Sequence, residues 1–181
     1  KRVDRAIFDE IVGTIEAGQI DLSQEYLIMA GSAHWPAGVI GLVAGKLMQQ
    51  YGRPVILFHL TKDGMAKGSC RSIAQFNMFE ALATCKDLLT TFGGHACAAG
   101  LSLPAEKLPA LKERLEQLLR AQLTPDDLVL TLPVDAVVSL ADISKTFYAQ
   151  MQLMEPFGNA NPEPVLVMEG VTLVQEPRLL K

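Results

Sequence analysis

The chain has 181 residues, with 16 Lys or Arg against 20 Asp or Glu, a net charge of −4, 49% apolar and 20% charged residues. That length and composition suit one domain of ordinary size with a smaller appendage, and exclude a disordered tail, a collagen-like repeat and a disulfide-stapled miniprotein. A pI of about 5.4 without any run of Lys or Arg excludes a broad nucleic-acid clamp, but leaves room for a local phosphate site inside an acidic domain.

Val3, Ile7, Ile11 and Ile15 recur every four residues and predict a helix over 2–17, ended by Gly18. The apolar run Tyr26–Met29 reads as a buried strand. A second helix over 38–50 carries Val39, Ile40, Val43, Leu47 and Met48 on one face. Gly38, Gly41 and Gly45 adjoin that face and permit close backbone packing. Pro54 opens the strand Val55–Phe58, apolar throughout and therefore central. Asp63-Gly64 signals a turn, from which 65–71 returns antiparallel. Asn77 and Glu80, three apart as in a capping box, start a helix over 77–91 that Gly93-Gly94 stops. Ala96–Leu103 reads as a strand, and 105–122 is the clearest helix, with Leu108, Leu111, Leu115, Leu118 and Leu119 on one side. The alternation predicts an α/β domain over 24–134, a mixed β-sheet flanked by helices.

After Pro125-Asp-Asp the character changes. Leu128–Val134 is strand-like, Ser139 with Asp142 starts a helix to about Met154, and 155–164 is a Pro- and Gly-rich connector. Val165–Val174 reads as strands that must pair with something, such as a domain that was removed, because so short a piece of sheet is not stable alone. No apolar stretch reaches 18 residues unbroken, so no membrane span is expected. Cys70, Cys85 and Cys97 are an odd number with no CxxC pair and point to a reducing cytoplasm. A chain that starts at Lys1 without a signal peptide reads as a piece of a longer protein.

Three segments place polar groups at element ends. His34-Trp35-Pro-Ala-Gly38 enters a helix whose first amides favour an anion; equally, Trp35 is a lid on the core. Lys67-Gly-Ser69-Cys-Arg71-Ser72 sets a guanidinium fork between two hydroxyls, suited to phosphate or carboxylate, or else a strand end with a solvated salt bridge. Gly93-Gly94-His95 at a helix-to-strand turn offers inward amides as an anion nest, with His95 heading a strand of small residues. Phosphate-loop, dinucleotide, zincin and serine-hydrolase motifs are absent, and His34, His59 and His95 lack metal-ligand spacing. Asp9, Glu10 and Glu16 read as a solvated face.

The series Trp35-x-x-Gly-Val-Ile-Gly-Leu-Val-Ala, Arg53-Pro54, Gly-Ser-Cys-Arg-Ser72 and Phe-Gly-Gly-His-x-x-Ala-Ala-Gly100 resembles the RecJ family of single-stranded-DNA-specific exonucleases, in the DHH phosphoesterase superfamily. The trailing Pro156-Phe-Gly-x-x-Asn-Pro-x-Pro164 agrees. The resemblance implies a 5′→3′ exonuclease of DNA recombination and repair that binds single-stranded DNA and uses manganese or magnesium. Those ions belong to an Asp-His-His catalytic domain outside this sequence, so the chain alone is expected to be inactive and to hold no metal. It implies that 24–134 is the DHH-associated domain, that 1–20 is the helix connecting it to the catalytic domain, that 135–163 is a helix and connector, and that 164–181 begins an OB-fold domain. By the same resemblance Ser69, Arg71 and Ser72 bind phosphate, Gly93 and Gly94 line the cleft, and His95 is catalytic. Pro36 stands where the family usually has His after the motif Trp, and no role passes to His34. A phosphodiesterase of short RNA or cyclic dinucleotides, and a non-catalytic nucleic-acid-binding module, are the alternatives.

Overall fold

A computed structural model of the chain describes residues 3–172, 174 and 175, in two units, Lys1–Leu130 and Thr131–Lys181. In the first unit the four-residue spacing winds α1 (Val3–Glu16), which buries Ile7 and Ile11. Gly18, at φ 71°, ends it in the left-handed conformation that a β-carbon would hinder. There follow β1 (Ile28–Ser32), α2 (Ala37–Tyr51), β2 (Val55–Leu60), β3 (Met65–Arg71), α3 (Met78–Thr84), β4 (Thr91–His95), β5 (Ala98–Pro104) and α4 (Leu108–Gln122). The five strands form one sheet in the order β1-β2-β3-β5-β4. β1 runs parallel to β2 and every other neighbouring pair is antiparallel, so the sheet is mixed, as the alternation of elements predicts.

Each face of the sheet has its own core. α2, backed by α1, packs on Ile28, Val55 and Leu57. On the opposite face α3 and α4 pack on Ile56, Phe58, Ala66, Cys70, Leu101 and Leu103. The unbroken apolar run of β2 follows, because alternate residues enter different cores and all four are fully buried. Each such side chain contributes about 1.5–3 kcal/mol by leaving water.

Several elements depart from the sequence reading, each for a visible reason. β1 starts two residues after Tyr26, because the backbone N–H groups of Tyr26 and Leu27 donate to the Glu116 carboxylate (3.0 and 2.8 Å) instead of a ladder. Asn77 caps α3 by accepting from the Glu80 N–H as its spacing predicts, yet α3 ends at Thr84 and not at 91. From Cys85 the chain tightens into three-residue bonds, Cys85 N–H to Leu82 O and Leu88 N–H to Cys85 O. By Thr90 it donates to Ser102 O across the sheet. Leu88 and Leu89 still reach the core, so the apolar stripe is real but a tighter turn carries it. Gly93-Gly94 therefore lies within β4 and stops no helix.

Leu128–Val134 forms no strand. The Thr124 backbone and hydroxyl both donate to the Asp127 carboxylate, fixing a 3₁₀ turn at Pro125–Leu128. In the second unit β6 (Ala136–Val137) pairs in parallel with β7 (Leu166–Val167), so that segment finds its partner within this chain, and Val165–Val174 is strand only there among the described residues. Ser139 and Asp142 close a turn ahead of the helix. α5 (Lys145–Gln152) begins later, after Ser144, whose hydroxyl accepts from the Phe147 N–H. The Pro/Gly connector is tied by the Asn161 side chain, which donates to Met154 O and Pro156 O (2.7 and 3.1 Å). Positions 173 and 176–181, where the expected OB-fold start continues, lie outside the described residues. No helix among the described residues is long and apolar enough to cross a membrane.

Candidate phosphate-binding face

Strand register assembles the site. Pairing aligns Val55, Arg71, Ala98 and His95 in one row, Leu57, Ser69, Gly100 and Gly93 in the next, and His59, Lys67, Ser102 and Thr91 in a third. Side chains alternate along a strand, so all three rows belong to the sheet face that α2 packs on. α2 covers its β2 end and reaches β3; Gly100, Gly93, His95 and Thr91 beyond it are exposed.

Arg71 sits half-buried at the margin of that cover. Its Nη1 donates to Cys70 O at 2.7 Å and, weakly, to Ser69 Oγ at 3.5 Å. Among the described residues no carboxylate pairs with it, so the solvated salt bridge is not what occupies this strand end. A guanidinium has five N–H donors in a rigid fork, and most of these remain unused. The helix glycines make the room: a β-carbon on Gly41 would stand 2.8 Å from Ser69 Oγ and 3.4 Å from Arg71 Nη2, and one on Gly45 4.0 Å from Arg71 Cγ. Gly38 faces open space and takes no part in the packing.

Ser72 leaves the expected set. It is 3% exposed, and its hydroxyl donates to Phe76 O at 2.8 Å, so it braces the loop after β3 instead of facing a ligand.

His95 ends β4, exposed, with no hydrogen bond to its ring among the described residues. Its placement is set by backbone. The two-residue hairpin tip Ala96-Cys97 is pinned where Cys97 O accepts from the Ser72 N–H and Ala96 O from the Met78 N–H, each at 2.9 Å. Gly93 has no atom within 4 Å of where a β-carbon would sit, and with Gly100 opposite it forms an open floor. Gly94 serves packing. At φ 144° its β-carbon would lie 2.3 Å from Ala98 O, and it pairs with Ala99 in the alternate register. The two glycines are consecutive residues of a paired strand and make no inward nest of amides.

Trp35 is the core lid. It is 5% exposed, its indole N–H donates to the Glu10 carboxylate at 3.0 Å, and its carbonyl lies 2.8 Å from His59 Nδ1. Glu10 is thus an anchor between α1 and the α2 entry loop and not only solvated surface. His34 donates its backbone N–H to Ser32 Oγ. All three cysteines are free thiols. Burial pushes the Cys70 thiol up to about 12, and burial likewise raises Cys85, so neither is a nucleophile at neutral pH.

Thr91 and Ser102 join the face without having been singled out from the sequence, and Lys67 and Gly100, named there only as the ends of their segments, take positions on it. Their signal is parity: each is an even number of residues from Arg71, His95 or Ala98 along its own strand. No carboxylate occupies any position of the three rows, in a chain where acidic residues outnumber basic ones. Guanidinium, ammonium, imidazole and hydroxyl groups over a glycine floor suit an oxyanion with a flat group beside it. They do not suit a divalent cation, which takes oxygen ligands, and among the described residues no three His, Cys, Asp or Glu side chains converge to hold one.

Comparison with known proteins follows the same division. Residues 23–121 match the DHHA1 domain family and residues 134–181 the RecJ OB domain, a match that begins thirty positions ahead of the 164 read from the sequence. The chain is 39% identical over 166 residues to the single-stranded-DNA-specific exonuclease RecJ of Bacillus subtilis, covering 91% of this chain and 21% of that protein. It is 35% identical over 135 residues to that of Escherichia coli, covering 72% and 23%. Crystal structures of RecJ from Thermus thermophilus with Mg2+ and with Mn2+ superpose with TM-scores of 0.73 and 0.75, at 29% and 28% identity. They cover 90% and 92% of this chain and 24% of theirs. The chain therefore spans about a fifth to a quarter of the length of these relatives.

Proposed function

The chain belongs to the DHHA1 domain family, and from that premise we propose that its open sheet face grips the phosphate of a single DNA strand on behalf of a RecJ-like 5′→3′ exonuclease of recombination and repair. Arg71 and Ser69 hold a phosphate, Gly93 and Gly100 let the nucleotide lie against backbone, and His95 donates to a phosphoryl oxygen at the scissile position. Gly94 acts indirectly, by letting the β4–β5 hairpin close and so placing His95.

The observation that carries this reading is a half-buried guanidinium with no carboxylate partner among the described residues, on a face without acidic positions. A guanidinium in that setting keeps N–H donors free for an anion. Hydrogen bonds from a charged fork to phosphate are among the stronger ones, about 1.5–3 kcal/mol each. The named relatives act on single-stranded DNA, and the match of 134–181 to a RecJ OB domain favours that substrate over short RNA or cyclic dinucleotides. The metal ions of the solved relatives would be held outside these residues, so this chain binds and orients while hydrolysis is completed elsewhere in a longer protein. Free thiols suit the reducing cytoplasm in which such a protein would work.

The test is calorimetric titration of the chain with thymidine 5′-monophosphate. Arg71→Lys keeps charge and loses the fork, so affinity should fall about tenfold. His95→Ala should weaken binding about threefold, with thermal midpoints unchanged in both variants. Binding indifferent to Arg71 would overturn the reading.

A further inference from the structure

The face extends past the grip on one phosphate. Lys67 lies on the same strand and the same side as Arg71, four residues away, and its row also holds Ser102 and Thr91. Lys67 is exposed, and the Thr91 and Ser102 hydroxyls bond each other at 2.6 Å, leaving lone pairs and one proton for a ligand. Asp63, in the β2–β3 turn, is near enough to Lys67 for their charges to act on each other, but it stands outside the rows.

Geometry relates the two positions. At ~3.3 Å per residue, Arg71 and Lys67 are about 13 Å apart along β3, too far for one phosphate to touch both. A nucleotide contributes about as many backbone bonds as two amino-acid residues, so an extended single strand covers that span in about two nucleotides. Between the two cations the floor is Gly100 and Gly93, flat and open.

We propose that Lys67, with the Thr91–Ser102 hydroxyl pair, is a second phosphate subsite, about two nucleotides along the strand from the one at Arg71. The β3–β5–β4 face is then a track that runs parallel to β3 and fixes the direction in which single-stranded DNA lies. The occupant follows from charge: a row of cations and hydroxyls without carboxylates on an otherwise acidic chain fits a polyanion. This inference rests on the proposed grip at Arg71.

The experiment is a length series on the whole chain, titrating thymidine 5′-monophosphate and 5′-phosphorylated oligothymidylates of two to five nucleotides at low salt. Affinity should step up at the trinucleotide, whose third phosphate reaches Lys67. Lys67→Gln should lower the ratio of trinucleotide to mononucleotide affinity about two- to fivefold, the range of one exposed ion pair. The same variant should reduce the salt slope for the trinucleotide by about 0.7. Thr91→Val with Ser102→Ala should lower that ratio in the same sense. A ratio indifferent to Lys67 would overturn the second subsite and leave the first intact. Absence of any mononucleotide binding, or binding insensitive to Arg71, would overturn both.

Discussion

Gly41→Ala separates the stability of the fold from the function of its face. On helix propensity alone the substitution stabilises α2 by about 1 kcal/mol, because alanine loses less backbone entropy. The new β-carbon, however, stands 2.8 Å from Ser69 Oγ, closer than real contacts allow, and 3.4 Å from Arg71 Nη2, in van der Waals contact with the fork. The obstructing atom is the end of a rotatable side chain, so it moves and the backbone does not. Displacing the serine from its rotamer costs about 0.5–1.5 kcal/mol, which nearly cancels the helical gain. Net stability should change by less than about 1 kcal/mol, a midpoint shift of about 2–4 °C at most for a chain of this size. Binding has no such compensation, because the hydroxyl is displaced and the new methyl group fills the space beside the fork, and affinity for thymidine 5′-monophosphate should fall about tenfold. Thermal unfolding and calorimetry on the same preparation read both quantities. A midpoint lowered by more than about 8 °C would show that backbone had to move. Unchanged affinity would show that Ser69 and Arg71 are not the grip.

Gly94→Ala should behave oppositely, since its β-carbon meets the Ala98 carbonyl and the Ala99 backbone at φ 144°; a loss of about 3 kcal/mol or more is expected in chemical denaturation. An aqueous alkylating reagent at pH 8 should modify Cys97 first and reach Cys70 and Cys85 only on unfolding, read by mass spectrometry of quenched samples. Asp21, Asp87, Asp127 and Asp142 are each held below the ordinary carboxylate value, first by side-chain hydrogen bonds from Ser23, Arg114, Thr124 and Ser139. Groups depressed in the folded state stabilise it above their unfolded pKa, so stability should hold down to about pH 4 and be lost as pH falls through the lowered values, as acid titration by circular dichroism would read. The 181-residue chain incubated with a labelled single strand and manganese should release no mononucleotide; release that survives repurification would contradict placing hydrolysis elsewhere.

Where local rules suffice, the sequence foretells the fold. Four-residue apolar spacing gives α1, α2 and α4, and Asp63-Gly64 gives the β2–β3 turn with 65–71 returning antiparallel. It misleads where a distant partner decides. The Glu116 carboxylate takes the amides of Tyr26 and Leu27, and the pull of β5 on Thr90 cuts α3 short. The site shows the same division. Arg71 and Ser69 are legible because they stand two apart in one motif, and Gly41 because a glycine inside a helix marks a close neighbour, whereas Gly38 at the same spacing meets open space. Ser72 looks equivalent to Ser69 until its hydroxyl is seen bonded to Phe76 O. Gly93 and Gly94 look alike, yet one opens the floor and the other closes a hairpin, a difference that only pairing with β5 creates. Lys67 and Thr91 are far apart in sequence and meet in one row through β5, which no local pattern encodes.

The central claim, that the β3–β5–β4 face holds the phosphate of a nucleotide, is tested most directly by following backbone amide resonances of isotope-labelled chain as thymidine 5′-monophosphate is added. Saturable shifts should cluster at Ser69–Arg71, Gly93–His95 and Ala98–Gly100. Shifts confined to residues 131–172, or to the α4 side of the sheet, would contradict it.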